Sequence, residues 1–277
     1  MPQLWGEFQN RHTRGAKTVD LHLHGKRALI CGASRGLGYG CAEALAREGV
    51  AVTLVARRQE DLDQARAKIE ALGSAPVQIV AADIATAEGR AAALAVCPTP
   101  DILVTNAGGP KPGDFRNFTR EDWIAALDAN MLSAIDLIKS TIDAMIAARF
   151  GRIVNITSGA VKSPIGVLGL SNGARAGLTG FVGGLAREVA AHNVTINNLL
   201  PGQFDTERLK TTHAAAAAAR GMETDAYRKA AIGMIPARRF GDPAEFGAAC
   251  AFLCSAQTGF ITGQNILLDG GQFPGLL

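Results

Sequence analysis

Arg27-Ala-Leu-Ile-Cys31, then Gly32-Ala-Ser-Arg-Gly36-Leu-Gly38, then Tyr39-Gly-Cys-Ala-Glu-Ala-Leu-Ala-Arg47 is the stretch whose reading decides the fold. A short apolar run ending at glycine reads as a strand buried on both faces, and the Ala- and Leu-rich run after the turn reads as a helix. Strand, glycine turn and helix in that order open a βαβ unit. Glycines in such a turn let a ligand approach the backbone, and the helix N-terminus offers unpaired N–H groups to a pyrophosphate. Gly32, Gly36 and Gly38 give G-x-x-x-G-x-G; Cys41 stands where the stricter G-x-G-x-x-G pattern needs its third glycine. An ordinary strand-to-helix turn also fits these residues, so the rest of the chain must decide.

Working outward, short Val-, Ile- and Leu-rich runs alternate with helical patterns, the mark of a parallel sheet covered on both faces. The strands read as 27–31, 51–56, 77–81, 102–105, 152–156, 195–199 and 265–268, and the helices include 37–48, 61–72, 120–149 and 174–192. Right-handed crossovers then predict one α/β domain, a doubly wound Rossmann sheet of seven parallel strands in the order 3-2-1-4-5-6-7. The domain is expected over 25–277, after an N-terminal extension, 1–24, that mixes Trp5 and Phe8 with Arg11, His12, Arg14 and Lys17 and is expected to pack on a partner subunit. His22 and His24 alternate with Leu21 and Leu23 and read as an exposed strand edge. The irregular region 205–236, with its alanine run, follows the end of a strand and is the candidate substrate lid.

Composition narrows the function. Of 277 residues, 48% are hydrophobic and 19% charged, below the roughly 25% charge of an average soluble domain, so the chain folds rather than staying disordered. Lys+Arg 28 against Asp+Glu 25 leaves only +3, with no basic run, which argues against a nucleic-acid partner. Five scattered cysteines argue against a disulfide framework, and Cys250 with Cys254 reads as apolar helix packing rather than a metal pair; no metal is expected. No run approaches ~20 apolar residues, and the first residues lack the apolar core of a secretory signal, so a cytoplasmic protein with no membrane partner is expected.

The end of the second strand reads Val55-Ala56-Arg57-Arg58, where dinucleotide sites that take NAD(H) place an acid. An acid would repel a 2′-phosphate; Arg57, helped by Arg35, can pair with one, which favours NADP(H) over NAD(H). Solvation of the following helix is the other reading of Arg57 and Arg58.

With these residues in hand, the chain resembles the short-chain dehydrogenases/reductases, nearest their 3-oxoacyl-[acyl-carrier-protein] reductase-like branch. The resemblance rests on Gly32-x-x-x-Gly36-x-Gly38, Asp83-Ile84, Asn106-Ala107-Gly108, Asn130, Ser158, Pro201-Gly202 with Thr206, and Asp269-Gly270-Gly271, in the family's order. It implies that Ser34, Arg35 and Leu37 of the turn contact cofactor, that Asp83 bonds the adenine amino group and that Ile84 offers backbone contacts. It also implies that Asn106–Gly108 line the cofactor and that Pro201–Thr206 hold the nicotinamide carboxamide. Ser158 is expected to bond the substrate oxygen and Asn130 to anchor a relay water. The family further implies a small carbonyl or alcohol substrate and a homotetramer or homodimer, with 120–149, 174–192 and the C-terminal tail at the interfaces.

The resemblance breaks at its centre. The family's Tyr-x-x-x-Lys falls on Ser171-Asn-Gly-Ala-Arg175, and neither Tyr39 nor Tyr227 fits the slot. A phenol of pKa about 10 becomes an aliphatic hydroxyl, which donates hydrogen bonds but gives up no proton near neutrality. Arg175 keeps the charge and is expected to hold the nicotinamide ribose. Two alternatives stay open: an NADP(H)-binding protein without turnover, and a non-redox lyase resembling the halohydrin dehalogenases.

Overall fold

Strand β1 (Arg27–Cys31) explains the sheet around it. Ala28 and Ile30 enter one apolar cluster while Leu29 and Cys31 enter the other, all without solvent exposure. Alternate side chains thus feed opposite cores, and the strand has no polar face. In the computed structural model, which describes residues 19–73 and 75–276, β2 (Ala51–Ala56), β3 (Val77–Ala81), β4 (Ile102–Thr105), β5 (Gly151–Ile156), β6 (Val194–Pro201) and β7 (Asn265–Leu268) complete the sheet. All pairs are parallel and the order is β3-β2-β1-β4-β5-β6-β7, the order expected from the sequence. Parallel strands put every strand-to-helix loop at one edge, and the site is built there.

The flanking helices are α1 (Gly36–Arg47), α2 (Gln59–Glu70), α3 (Ala87–Val96), α4 (Arg120–Leu127), α5 (Ser133–Ala148), α6 (Gly169–Val189), α7 (Glu207–Ala218), α8 (Thr224–Gly233) and α9 (Pro243–Cys254). Three expectations about the helices and the 205–236 region need correction. The run 120–149 is two helices joined by a π-helical turn at Asp128–Leu132, where the Asn130 and Ser133 side chains bond the carbonyls of Ala126 and Ala129. The apolar spacing continues through the wider turn, so periodicity conceals it. Helix α6 begins at Gly169, not 174, and takes in Gly173, against which the Trp123 ring packs, 3.1 Å from where a side chain there would start. The irregular 205–236 region holds α7 and α8.

His22 and His24 are not in a strand. His22 has φ +53° and its N–H bonds Asp20, while the Leu21 carbonyl accepts from the Ala256 N–H and the Ser255 hydroxyl. Residues 19–24 are therefore strapped to their own domain; the aromatic and basic residues of 1–18 lie outside the described residues. Among the described residues no helix is long and apolar enough to cross a membrane, and the five cysteines are buried free thiols.

Two features fix the sheet beneath the site. Thr105 donates to Asn155 (2.6 Å), Asn155 to Asn198 (3.1 Å) and Asn198 to Asn265 (2.8 Å), one side chain per strand across β4–β7. Each pair lies in register, so a one-residue slip would leave buried amides unpaired, at about 1–3 kcal/mol apiece. On the opposite side of the sheet's first half, α1 and α9 touch through backbone. A side chain on Gly247 would start 2.1 Å from the Gly40 carbonyl oxygen, and one on Gly40 would start 2.4 Å from that of Pro243. Gly247→Ala is therefore expected to destabilise the protein by about 1–3 kcal/mol, seen as a lower urea midpoint with an unchanged slope.

Candidate active site

The first part of the site is the turn after β1. Gly32 (φ +60°) and Gly36 (φ +61°) adopt the left-handed conformation that other residues resist. A side chain on Gly38 would start 2.3 Å from the Gly32 carbonyl oxygen, and one on Gly32 would start 2.5 Å from the Asn106 amide nitrogen. Asn106, just past β4, thus walls the turn from one side. Thr206 walls it from another, its methyl 3.5 Å from where a Gly36 side chain would begin. Helix α1 starts without a side-chain cap, its preceding residue Arg35 pointing to solvent, so its first N–H groups remain available to an anion.

At the end of β2 the two arginines separate. Arg58 bonds Asp61 in the first turn of α2 (2.7 Å), the helix-supporting role that sequence left open. Arg57 is exposed, and its side chain makes no bond or ion pair among the described residues. Asp83 is exposed and turns back on itself, accepting from the Ala85 N–H (3.0 Å). The Ile84 side chain is buried, and its carbonyl accepts from Arg90, which also pairs with Asp136 (2.7 Å). Arg90 supports this loop, and nothing in its local sequence marks it.

The second part lies across α6 and the ends of β4 and β5. Ser158 is half-buried and accepts the Ala160 N–H (3.1 Å), which leaves its own hydroxyl proton free. Ser171 and Arg175 stand one turn apart on α6, both buried. Arg175 donates to the Ile156 carbonyl (2.8 Å), to the Ser171 hydroxyl (3.3 Å) and, at 3.4 Å, to the Ala107 carbonyl. One guanidinium therefore ties the end of β5, two residues before Ser158, to the 106–108 loop and to α6. Asn130 is buried in the π-turn with its side-chain carbonyl oxygen unpartnered, so it retains an acceptor for the water expected of it. Gly177 places the Met131 sulfur against α6, which locks the π-turn to the same helix.

Electrostatically the site is positive. Burial, followed by the nearby Arg208 charge, pulls the Arg175 guanidinium down to about 10 from its usual 12.5, still protonated at neutral pH. No carboxylate pairs with it among the described residues. Among the described residues neither tyrosine takes the phenol's place: burial, then the Glu43 charge, raises the Tyr39 phenol on α1 against the opposing pull of Arg47, and Tyr227 on α8 packs edge-on against His213 of α7, centroids 5.2 Å apart. Pro201-Gly202 leave β6 where the Gly202 N–H reaches the Leu268 carbonyl, and the Asp269 side chain fills the space beside Gly202.

The arrangement matches known proteins. A family model described as Enoyl-(Acyl carrier protein) reductase matches residues 32–272. The 3-oxoacyl-[acyl-carrier-protein] reductase of Vibrio cholerae is 34% identical over 259 residues, covering 91% of this chain and 99% of that one. Among solved structures, L-sorbose reductase of Gluconobacter frateurii, complexed with NADPH and L-sorbose, superposes with a TM-score of 0.88 at 30% identity, covering 93% of this chain and all of that one. A 3-oxoacyl (acyl-carrier-protein) reductase of Agrobacterium tumefaciens with NADP bound gives 0.83 at 28% identity, covering 94% and 99% of the two chains.

The glycine turn can be tested on its own. Gly38→Ala is expected to weaken dinucleotide binding about tenfold or more, roughly 1.4 kcal/mol, by forcing the turn away from Gly32. Gly233→Ala, on α8 with open space around it, is expected to leave binding unchanged; protein fluorescence titration reads both.

Proposed function

The chain belongs to the short-chain dehydrogenase/reductase family, and on that premise we propose that it is an NADP(H)-dependent oxidoreductase that moves a hydride between the nicotinamide and a carbonyl or secondary-alcohol substrate. The observation that carries this reading is the glycine cradle walled by Asn106 and Thr206 together with the unpaired Arg57 at the end of β2. These residues fit a dinucleotide with a 2′-phosphate: open N–H groups for the pyrophosphate, a free cation for the extra phosphate, and no acid there to oppose it. Both reductase structures described above were solved with NADPH or NADP. When bound, the cofactor supplies the hydride.

The chain's own residues then act on the substrate oxygen. Ser158 keeps a free hydroxyl proton and donates it as a hydrogen bond, and Ser171, which accepts from Arg175, donates likewise. Arg175 contributes a fixed positive charge behind them. None of the three surrenders a proton near neutrality, so the proton comes from water, held by Asn130. This favours a second reading of the same site. Hydride delivered to a carbon–carbon double bond conjugated to a carbonyl leaves an enolate oxygen that needs hydrogen bonds only, and water protonates carbon afterwards. Hydride delivered to a ketone leaves an alkoxide that needs a proton at once.

Subunit pairing through α5, α6 and the C-terminal tail into a homotetramer or homodimer is part of this proposal. Gly180, Gly183 and Gly184 line an open face of α6 suited to a neighbour's close approach. A cytoplasmic location, where NADPH is at hand, completes it.

Titration with NADPH and NADH tests the cofactor half. Tighter binding of NADPH is expected, and Arg57→Ala should remove about tenfold of that preference, the worth of one charge-assisted bond, with NADH little affected. Absorbance at 340 nm with paired saturated and conjugated ketones tests the chemistry. Saturated ketones are expected to turn over slowly, and the double variant Ser171→Tyr/Arg175→Lys should raise that rate by roughly 10²–10⁴, the contribution of a positioned acid. An inert pair of proteins that both bind NADPH tightly would instead point to a binding protein without turnover.

A further inference from the structure

The segment 207–220, α7 and the turn after it, carries three cations that sequence alone cannot rank: Arg208, Lys210 and Arg220. The structure separates them. Lys210 is paired with Glu207 at 2.7 Å. Arg220 bonds the Ala216 carbonyl and stacks on the Tyr227 ring, 5.3 Å from its centroid. Arg208, in the first turn of α7, has no ion pair and no side-chain hydrogen bond among the described residues. Its guanidinium instead lies across Gly109, in the space a side chain would take there.

That position brings two like charges toward one strip of backbone. Arg175 reaches the Ala107 carbonyl from below, and Arg208 covers Gly109 from the lid side. Each unit of positive charge is opposed by nothing: Asp205 is held by Arg228 (2.8 Å), Glu207 by Lys210, and Lys111 and Asp122 by one another (2.8 Å). Arg175, buried without a counter-ion and faced by the solvent-exposed Arg208, is an unfavourable arrangement that an anion bound at the mouth relieves. Gly109 is what admits the second guanidinium, since any side chain there would displace it.

We propose that Arg208 recognises a negatively charged group of the substrate, so that the substrate class is small oxo acids and enones that bear a separate carboxylate. The carboxylate lies against Arg208 at the lid while the reacting carbonyl faces Ser158 and Ser171, with Arg175 beneath. This rests on the oxidoreductase reading above. The same chemistry could meet a phosphate of the dinucleotide, and the experiment separates the two sources.

The test compares a matched panel of short-chain 2-oxo, 3-oxo and 4-oxo-2-enoic acids with their methyl esters, on wild type and on Arg208→Gln and Arg208→Lys. Binding to NADP-saturated protein is read by calorimetry and turnover by KM and kcat. Acids are expected to bind at least about tenfold more tightly than their esters, the worth of one charged pair. Arg208→Gln should collapse that ratio toward one by raising KM for the acids, Arg208→Lys should restore part of it, and NADPH affinity should stay within about twofold. An acid-to-ester ratio near one in wild type, absence of binding by any acid, or a ratio unmoved by Arg208→Gln overturns the proposal. Equal weakening of NADPH by Arg208→Gln overturns it too, by assigning Arg208 to a cofactor phosphate. Wild type that binds no NADPH, read in the same titration, is a failure of the oxidoreductase reading instead; an acid preference that persists without cofactor would still uphold Arg208.

Discussion

Arg175 is a positive charge inside the protein that meets three neutral acceptors and no carboxylate, and the site is organised around it. Its bonds to the Ile156 and Ala107 carbonyls join the ends of two adjacent strands, while its own backbone belongs to α6. A planar fork can satisfy several acceptors at once where an ammonium presents a point charge. Its burial is unfavourable unless something anionic arrives, and a site so charged is ready for negative charge that develops or binds.

The frame that holds Arg175 is rigid for separate reasons. The Thr105–Asn155–Asn198–Asn265 chain fixes the register of β4 to β7 just below the site, because each buried amide has one correct neighbour. The π-turn at Asp128–Leu132 tips Asn130 inward, and the Met131 sulfur against Gly177 keeps that turn on α6. Over this frame the 106–109 loop and the start of α7 stay comparatively open, with Gly109 under Arg208. A rigid floor with a polar mouth suits small substrates distinguished by charge.

The absence of the phenol beside the glycine cradle divides the site into two halves under different physical constraints. The glycine turn is governed by backbone sterics, which tolerate no side chain at Gly32 or Gly38. The other half offers a hydrogen-bonding oxygen and a charge, Ser171 with Arg175, and no acid. Chemistry that ends on a delocalised oxyanion is compatible with that set; chemistry that ends on an alkoxide is slowed by it.

What the sequence by itself determined follows from local rules. Seven apolar runs buried on both faces, glycines at the strand ends and right-handed crossovers leave one strand order, and the motif spacing marked Ser158, Ser171 and Arg175 as site candidates. What only the tertiary structure decided depends on groups distant in the chain. Whether Arg57 or Arg58 is free turns on Asp61; whether Arg208, Lys210 or Arg220 faces the site turns on Glu207, Tyr227 and Gly109. The break in 120–149 and the early start of α6 were illegible because periodicity records which face is apolar, not how wide a turn is or which ring fills the space beside a glycine. Charge pairing and close packing are properties of neighbours in space, and the chain's order does not name them.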